Sequence, residues 1–138
     1  ITDARTGIQN LKHKLESYEF EGNTYWFTVN PSTAKSTIAY LLPNYDEYIV
    51  SYKDRSFAIN VKDISKADPR GTIFNHTIIL NGKIEGIWKK AIKKDVLQLE
   101  LTPFKKLSSA NLELIEITAK KYADFLELKN VIVKYLKQ

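Results

Sequence analysis

The stretch that decides the fold is Thr77–Trp88, and it reads TIILNGKIEGIW. Asn81 and Gly82 separate two runs that are rich in isoleucine and other apolar residues. Asn-Gly is the dipeptide most typical of a type I′ turn, because both residues accept positive φ. The stretch therefore predicts an antiparallel β-hairpin.

The two strands of this hairpin predict a register. Pairing across the turn sets Ile79 opposite Ile84 and Thr77 opposite Gly86, with Trp88 further along the same face. We expect that face to be the core side, with Trp88 a core residue rather than a ring that stacks on bases. Gly86 either leaves room for an aromatic ring or marks a β-bulge.

The residues after the hairpin predict a third strand, a long helix and a last strand. Leu97, Leu99 and Leu101 alternate with polar residues, as in a half-buried strand. Ser108 or Ser109 is suited to cap a helix. Its expected buried stripe is Leu112, Ile115, Ala119, Tyr122 and Leu126, and the expected last strand is Val131–Val133.

A stretch before the hairpin, Leu41–Ser56, concentrates specialised residues and reads LLPNYDEYIVSYKDRS. Pro43 and Asn44 predict a turn, and Tyr48–Tyr52 has the composition of a short strand. Further expectations are a strand at Ser36–Leu42, a strand or the start of a short helix at Ser56–Val61, and a surface loop at Asp68–Gly71. Together with the hairpin meander, these strands predict a small antiparallel β-barrel with one long C-terminal helix.

The adjacent carboxylates Asp46 and Glu47 have two interpretations. They could act as general acid and base or bind a metal, but no catalytic motif or histidine cluster accompanies them. We favour a structural role, in which they cap the turn and pair with Arg55 or Lys53. Specifically, the sequence predicts that Asp46 and Arg55 form an ion pair.

Residues 1–30 carry a different pattern. A helix is predicted from the spacing of Ala4, Ile8, Leu11 and Leu15, and a hairpin from the strand-like runs on either side of Glu21-Gly22-Asn23. A helix followed by a hairpin is typical of the last helix and wing of a winged-helix unit. The sequence thus predicts a partial winged-helix unit at 1–30 and the barrel-like domain at 31–138, joined by a loop at Asn30–Thr33. Tyr25 and Trp26 in the wing could stack on bases or pack in a core.

Composition bounds the class of protein. The 138 residues are 43% hydrophobic and include 2 Trp, 8 Tyr and 6 Phe, enough for a packed core. Without cysteine, disulfides and thiolate metal sites are excluded. The absence of cysteine favours an intracellular protein, and we expect a cytoplasmic one. No apolar run approaches the roughly 20 residues of a membrane span. The chain contains no methionine, which suggests a fragment of a longer protein.

The net charge of +5 lies entirely in residues 83–138, where 12 lysines meet 7 acidic residues. A basic half is typical of proteins that bind polyanions, although a solvated lysine-rich surface is the alternative. Paired lysines at 89–90 and 93–94 are expected to flank one turn as a ridge. The candidate DNA-binding residues are Lys83, Lys89, Lys90, Lys93, Lys94, Lys105 and Lys106.

Four pieces of the chain carry a resemblance to a known family. They are Leu41–Tyr48 (LLPNYDEY), Tyr52–Ser56 (YKDRS), Leu80–Trp88 (LNGKIEGIW) and Pro103-Phe104 before the last helix. They resemble the C-terminal part of winged-helix DNA-binding proteins related to bacterial interstrand-crosslink repair DNA glycosylases. The signature residues are Pro43, Tyr45, Asp46, Glu47, Tyr48, Asp54 and Arg55.

The resemblance implies a function without chemistry in this chain. Glycosylases of the family use a Gln-x-Gln motif in their N-terminal region, whereas Gln9, Gln98 and Gln138 are isolated here. We therefore expect a non-catalytic DNA-binding or clamping portion that contacts duplex phosphates and the parent chain's N-terminal winged-helix domains, without cofactor, metal or membrane. The alternative is a packing module that rigidifies those domains without touching DNA. An enzyme acting at Asp46 and Glu47 is a third, less favoured reading.

Overall fold

The computed structural model describes residues 2–20, 22–28, 37–52, 54–67 and 75–136. The chain forms two compact units, Ile1–Ser36 and Thr37–Gln138. The loops predicted at Asn30–Thr33 and Asp68–Gly71, and a contact predicted for Lys53, lie outside the described residues. Within the described ranges, no helix combines the length and apolarity that crossing a bilayer requires.

The first unit consists of a helix and a hairpin. Helix α1 (Thr2–Leu11) and a 3₁₀ turn (Lys12–Lys14) lead into the antiparallel strands β1 (Leu15–Phe20) and β2 (Asn23–Thr28). Leu15, predicted on the helix face, instead begins β1. Its φ of −115° and ψ of 141° are extended, so the helical period had already ended. That this helix and hairpin belong to a winged-helix unit stays a prediction.

The second unit is built on a five-stranded sheet. Its elements in chain order are β3 (Ala39–Leu42), α2 (Glu47–Val50), a 3₁₀ turn (Val61–Asp63), α3 (Ile64–Ala67), β4 (Thr77–Leu80), β5 (Lys83–Lys93), β6 (Val96–Pro103), α4 (Ser109–Phe125) and β7 (Asn130–Tyr135). The strand order follows the chain from β3 to β7. For Ser56–Val61 the sequence left a strand and the start of a short helix open. Residues 56–60 form no strand and lead into the 3₁₀ turn, so the second alternative is closer to the structure.

The sheet is open, and the predicted antiparallel barrel is wrong. Strands β3 and β7 are its two edges, and β7 pairs parallel to β6. Helix α4 supplies the crossover that a parallel neighbour requires, and this helix covers one face of the sheet. Because helices and loops cover parts of both faces, the sheet buries its apolar residues without closing on itself.

The central hairpin has the predicted turn but only part of the predicted register. Positive φ values occur at Asn81 (50°) and Gly82 (78°). Ile79 pairs with Ile84 as predicted, but Gly86 then pairs with Ile78, because the register shifts at this point. Strand β5 has one more residue than β4 at this point, which is a β-bulge. This is the second of the two interpretations given for Gly86.

The bulge changes which face Trp88 occupies. Side chains alternate between faces along a strand, and one extra residue reverses that alternation. Trp88 therefore packs with Ile78 and Leu80 on the α4 side, whereas Ile79 and Ile84 belong to a second core on the opposite side. The prediction that Trp88 is a core residue is confirmed, since it is 4% exposed, but its predicted face was wrong.

Helix α4 and strand β6 form the main core as predicted. Leu97, Leu99 and Leu101 are at most 1% exposed and pack against Ile115 and Ala119 of the helix. The helix begins where the sequence indicated: the Ser108 hydroxyl accepts a hydrogen bond from the Asn111 N–H at 3.2 Å.

Candidate nucleic-acid interface

We call Leu41–Ser56, which contains the signature residues, the signature stretch. It forms a one-turn helix where a strand was predicted for Tyr48–Tyr52. Asp46 is the N-cap of α2, and its Oδ1 accepts a hydrogen bond from the Tyr48 N–H at 2.9 Å. Glu47 follows in the first turn, where a negative charge favours a helix. The cap and this charge outweigh the strand preference of Tyr48, Ile49 and Val50.

The remaining signature residues make structural contacts. Arg55 Nε donates to the Ile49 carbonyl at 2.6 Å, and Asp54 Oδ1 accepts from the Ser56 N–H at 2.9 Å. Hydrogen bonds from Ser56 lower the pKa of the Asp54 carboxyl. These contacts fix the loop between α2 and the following turns. The predicted Asp46–Arg55 ion pair stays a prediction.

The two carboxylates do not converge on a catalytic arrangement. Asp46 lines a cleft of about 210 Å³ with Tyr40 and Tyr48, but Glu47 is exposed and outside that lining. Across the part of the chain that the structure describes, no three histidine, aspartate or glutamate side chains are grouped to hold a metal ion. The geometry of Asp46 is that of a helix cap.

The hairpin tip is held by Tyr48 of the signature stretch and by Phe57 and Ala58, which follow that stretch. The Tyr48 hydroxyl donates to the Gly82 carbonyl at 2.7 Å, and the Ile84 N–H donates to the Ala58 carbonyl at 2.7 Å. Lys83 Nζ donates to the Phe57 carbonyl. Burial raises the pKa of the Tyr48 phenol. Lys83, a candidate for DNA contact, is thus engaged within the fold.

The paired lysines lie on a longer strand than predicted. Lys89 and Lys90 were expected beside a turn, but β5 runs through them to Lys93. The turn itself is at Lys94 and Asp95, whose φ values are 49° and 61°. Because β5 and β6 pair without interruption over these residues, the turn comes three residues later than the sequence suggested, at 94–95 instead of 91–92.

Strand alternation places these lysines on different faces. Lys90 lies on the α4 side, where its ammonium stands 5.2 Å from the centre of the Tyr122 ring. Lys89 and Lys93 lie on the opposite face by alternation. The predicted ridge of four lysines is therefore wrong, because β5 does not place them on one face.

The third lysine pair follows β6. Lys105 and Lys106 are both exposed, and Lys105 forms an ion pair with Glu85 at 2.8 Å. Both border a groove of about 620 Å³ that also includes Leu112 and Tyr135. Burial, with a contribution from the Glu116 charge, raises the pKa of Tyr135 to about 12.

One face of the β5–β6–β7 sheet carries exposed lysines, and we call it the open sheet face. Lys89 is opposite Glu100, and Glu100 is in turn beside Lys134 on β7. By strand alternation, the members of this face are Lys89, Ala91, Lys93, Val96, Gln98, Glu100, Asn130, Ile132 and Lys134. Among the described residues, Lys89, Lys93 and Lys94 have no hydrogen-bond or ion-pair partner. Sequence reasoning missed Lys134, whose place depends on the parallel register of β7.

The exposure of the two aromatic residues in the predicted wing does not distinguish stacking on bases from packing in a core. Tyr25 is 43% exposed, whereas Trp26 is half-buried. The two alternatives drawn from the sequence therefore both stay open.

Comparison with known proteins gives one family and one similar structure. The model of the family described as DNA glycosylase AlkZ-like matches residues 1–125. Among solved structures, the Streptomyces sahachiroi DNA glycosylase AlkZ is similar, with a TM-score of 0.72 and 18% sequence identity. The match covers 98% of this chain and 37% of that chain. No curated protein sequence matches this one.

Proposed function

This chain belongs to the AlkZ-like DNA glycosylase family, whose model matches residues 1–125, and from that membership we propose that it is a non-catalytic DNA-binding portion of a DNA-repair protein. It spans 37% of the similar solved glycosylase, so the substrate and activity of a longer protein are part of the proposal. We further propose that residues 1–30 are the helix and wing of a winged-helix unit, and that other winged-helix domains are its partners in the longer chain.

The open sheet face and the adjoining turn carry this proposal. Lys89, Lys93 and Lys94 are exposed and lack intramolecular partners among the described residues. Positions four apart on a strand are separated by about 13 Å at about 3.3 Å per residue. Phosphates on one DNA strand recur every ~3.4 Å along the axis. Lys89 and Lys93 can therefore reach phosphates several nucleotides apart, and contacts of this kind do not select a sequence.

A salt titration with matched variants tests the proposal. Binding of a duplex is measured from low to moderate salt for the wild type and for Lys89→Ala/Lys93→Ala/Lys94→Ala. Each lost phosphate contact should reduce the log–log salt slope by roughly 0.9. The control, Lys120→Ala/Lys121→Ala/Lys129→Ala, removes the same charge from exposed positions on and after α4. If both variants lose affinity equally, the loss is caused by the change in net charge alone, and the proposed interface at Lys89, Lys93 and Lys94 is contradicted.

The alternative, a packing module, has one observation in its favour. Ile132 is 55% exposed in the middle of the open sheet face, and Glu100 offsets part of its positive charge. Ile132→Lys separates the two functions. On a DNA-contacting face, the added lysine should strengthen duplex binding and steepen the salt slope. On a face that packs against another domain, it should leave DNA binding unchanged and lower the unfolding temperature of the longer protein.

A further inference from the structure

One side of the hairpin in the first unit carries four aromatic residues. Tyr18 of β1 is directly opposite Tyr25 of β2. Opposed residues point to the same side of a hairpin, and so do residues two apart along a strand. Phe20 and Phe27 therefore share the side of these two tyrosines, and we call that side the aromatic face.

The other side of the hairpin is mainly polar. Glu19 is directly opposite Thr24, whose hydroxyl donates to the Glu19 carboxylate at 2.5 Å. Ser17 is exposed there, and Trp26, which is half-buried, is the one aromatic residue on this side. The hairpin therefore has one side suited to water and one that is not.

The aromatic face is exposed although it is apolar. Tyr18 is 61% exposed, and Phe20 and Tyr25 are each 43% exposed. None of the described residues of the first unit is buried. A lone two-stranded hairpin is at best marginally stable in water and needs a further layer packed on it. The aromatic face is where such a layer would bury the most apolar area.

The size of this face favours a partner in the same chain. Aromatic side chains bury about 150–250 Å² each, so three rings that are about half exposed offer roughly 300 Å². A stable interface between separate molecules needs about 800 Å² on each partner. A domain of the same chain is held nearby at an effective concentration on the order of mM, so a smaller contact suffices.

The charges on the hairpin favour a protein surface over a nucleic acid. Neither β1 nor β2 contains a lysine or an arginine, whereas phosphate contacts depend on such cations. Glu16 lies on the aromatic face opposite Phe27, and it forms no ion pair with another described residue. The complementary surface is apolar and carries a basic side chain beside Glu16.

We propose that the aromatic face docks onto a winged-helix domain of the same chain, at an apolar surface whose basic residue pairs with Glu16. The inference rests on the proposed function, which includes such domains in a longer protein. The similar solved glycosylase supports it, because the match covers 98% of this chain and only 37% of that longer chain. A fold that includes the first unit thus occurs together with further chain on which the hairpin could pack.

Hydroxyl-radical footprinting tests the proposal, because exposed aromatic side chains are oxidised faster than buried ones. Oxidation of Tyr18, Phe20 and Tyr25 is measured by mass spectrometry in the 138-residue chain and in the longer protein. The three rates should fall severalfold in the longer protein, relative to Tyr52 of the second unit, which is 58% exposed. Unchanged rates would overturn the proposal.

Two other footprints would overturn it by identifying a different occupant. Protection that appears only when duplex DNA is added would assign the face to bases. Protection that rises with the concentration of the 138-residue chain would assign it to a second copy. If the three rings are protected in the longer protein but the lysine variants bind DNA normally, the docking stands and only the proposed DNA interface fails.

A matched pair of variants separates docking from the stability of the hairpin itself. Tyr18→Thr/Tyr25→Thr removes two rings and keeps the strand preference. The control, Glu19→Thr, creates the same Thr–Thr pair with Thr24 on the other side. The double variant should lower the unfolding temperature of the longer protein more than that of the 138-residue chain, and the control should affect both alike. An equal loss from the double variant in both proteins would contradict docking.

Discussion

Gly86→Ala tests the close packing that the bulge creates in the central sheet. A Cβ atom at this position would lie 2.8 Å from the Thr102 carbonyl oxygen and 2.9 Å from both Ile78 Cδ1 and Pro103 Cα. Ordinary contacts between carbon atoms are about 3.5–4.0 Å, so all three approaches are repulsive. Two of the three atoms belong to the backbone of β6, which cannot move without disturbing its pairing with β5.

The expected cost follows from this geometry. Overpacking typically destabilises by about 1–3 kcal/mol, and we expect the upper half of that range because backbone atoms must move. With a urea m value of about 1–3 kcal/mol/M, the unfolding midpoint should fall by about 1 M. Urea unfolding followed by Trp88 fluorescence, in a Trp26→Phe background, reports on the second unit.

Gly7→Ala is the matched control. A Cβ at Gly7 meets nothing within 4 Å, and this glycine lies within α1. The same substitution should therefore stabilise this helix by about 0.5–1 kcal/mol and leave the unfolding midpoint that Trp88 reports for the second unit unchanged. If Gly86→Ala unfolds within ~0.5 kcal/mol of the wild type, the close approach at the bulge does not constrain the sheet, and the reasoning is refuted.

Three more outcomes are expected. Ser108→Ala should lower the unfolding free energy by about 1 kcal/mol in urea, because the Asn111 N–H loses its cap; an unchanged midpoint would contradict that role. Trp88→Phe should destabilise by about 1–3 kcal/mol, because the smaller ring leaves space in the core and the hydrogen bond from Trp88 Nε1 to the Leu42 carbonyl, 2.9 Å long, is lost; an unchanged stability would contradict this role. The pKa of Tyr135 is raised from 10 to about 12, so the unfolded chain ionises first and stability should fall between pH 10 and 12. Tyr135→Phe should flatten that fall in pH-dependent thermal melts, and an equal fall in both proteins would assign it to other groups.

The sequence predicted local structure best where one residue pair determines the geometry. Asn81-Gly82 specified its turn, and Ser108 specified the start of α4. The sequence left the bulge open because a glycine in a strand has more than one explanation, and only the register between β4 and β5 distinguishes them.

Long-range features were the ones that sequence reasoning could not supply. The run of β-branched residues at Val131–Val133 indicates a strand but carries no direction, so the parallel pairing of β7 with β6 was missed. The barrel was predicted from the meander and the strands expected before it, one of which is replaced by α2. For the candidate interface, the sequence indicated the lysines of β5, and their contact with DNA stays a prediction. Their division between faces depends on how far β5 extends, which cross-strand pairing with β6 decides.

The two ends of β5 differ in a way that bears on function. At its start, Lys83 is held by the Phe57 carbonyl, and the Tyr48 hydroxyl holds the neighbouring Gly82. A tip fixed in this manner cannot reorganise around a ligand without breaking several hydrogen bonds. At its end, Lys93 and Lys94 are exposed and have no such contacts among the described residues. Tyr48 and the Phe57 carbonyl therefore hold one end of the hairpin, and we expect the proposed phosphate contacts of β5 at the other end.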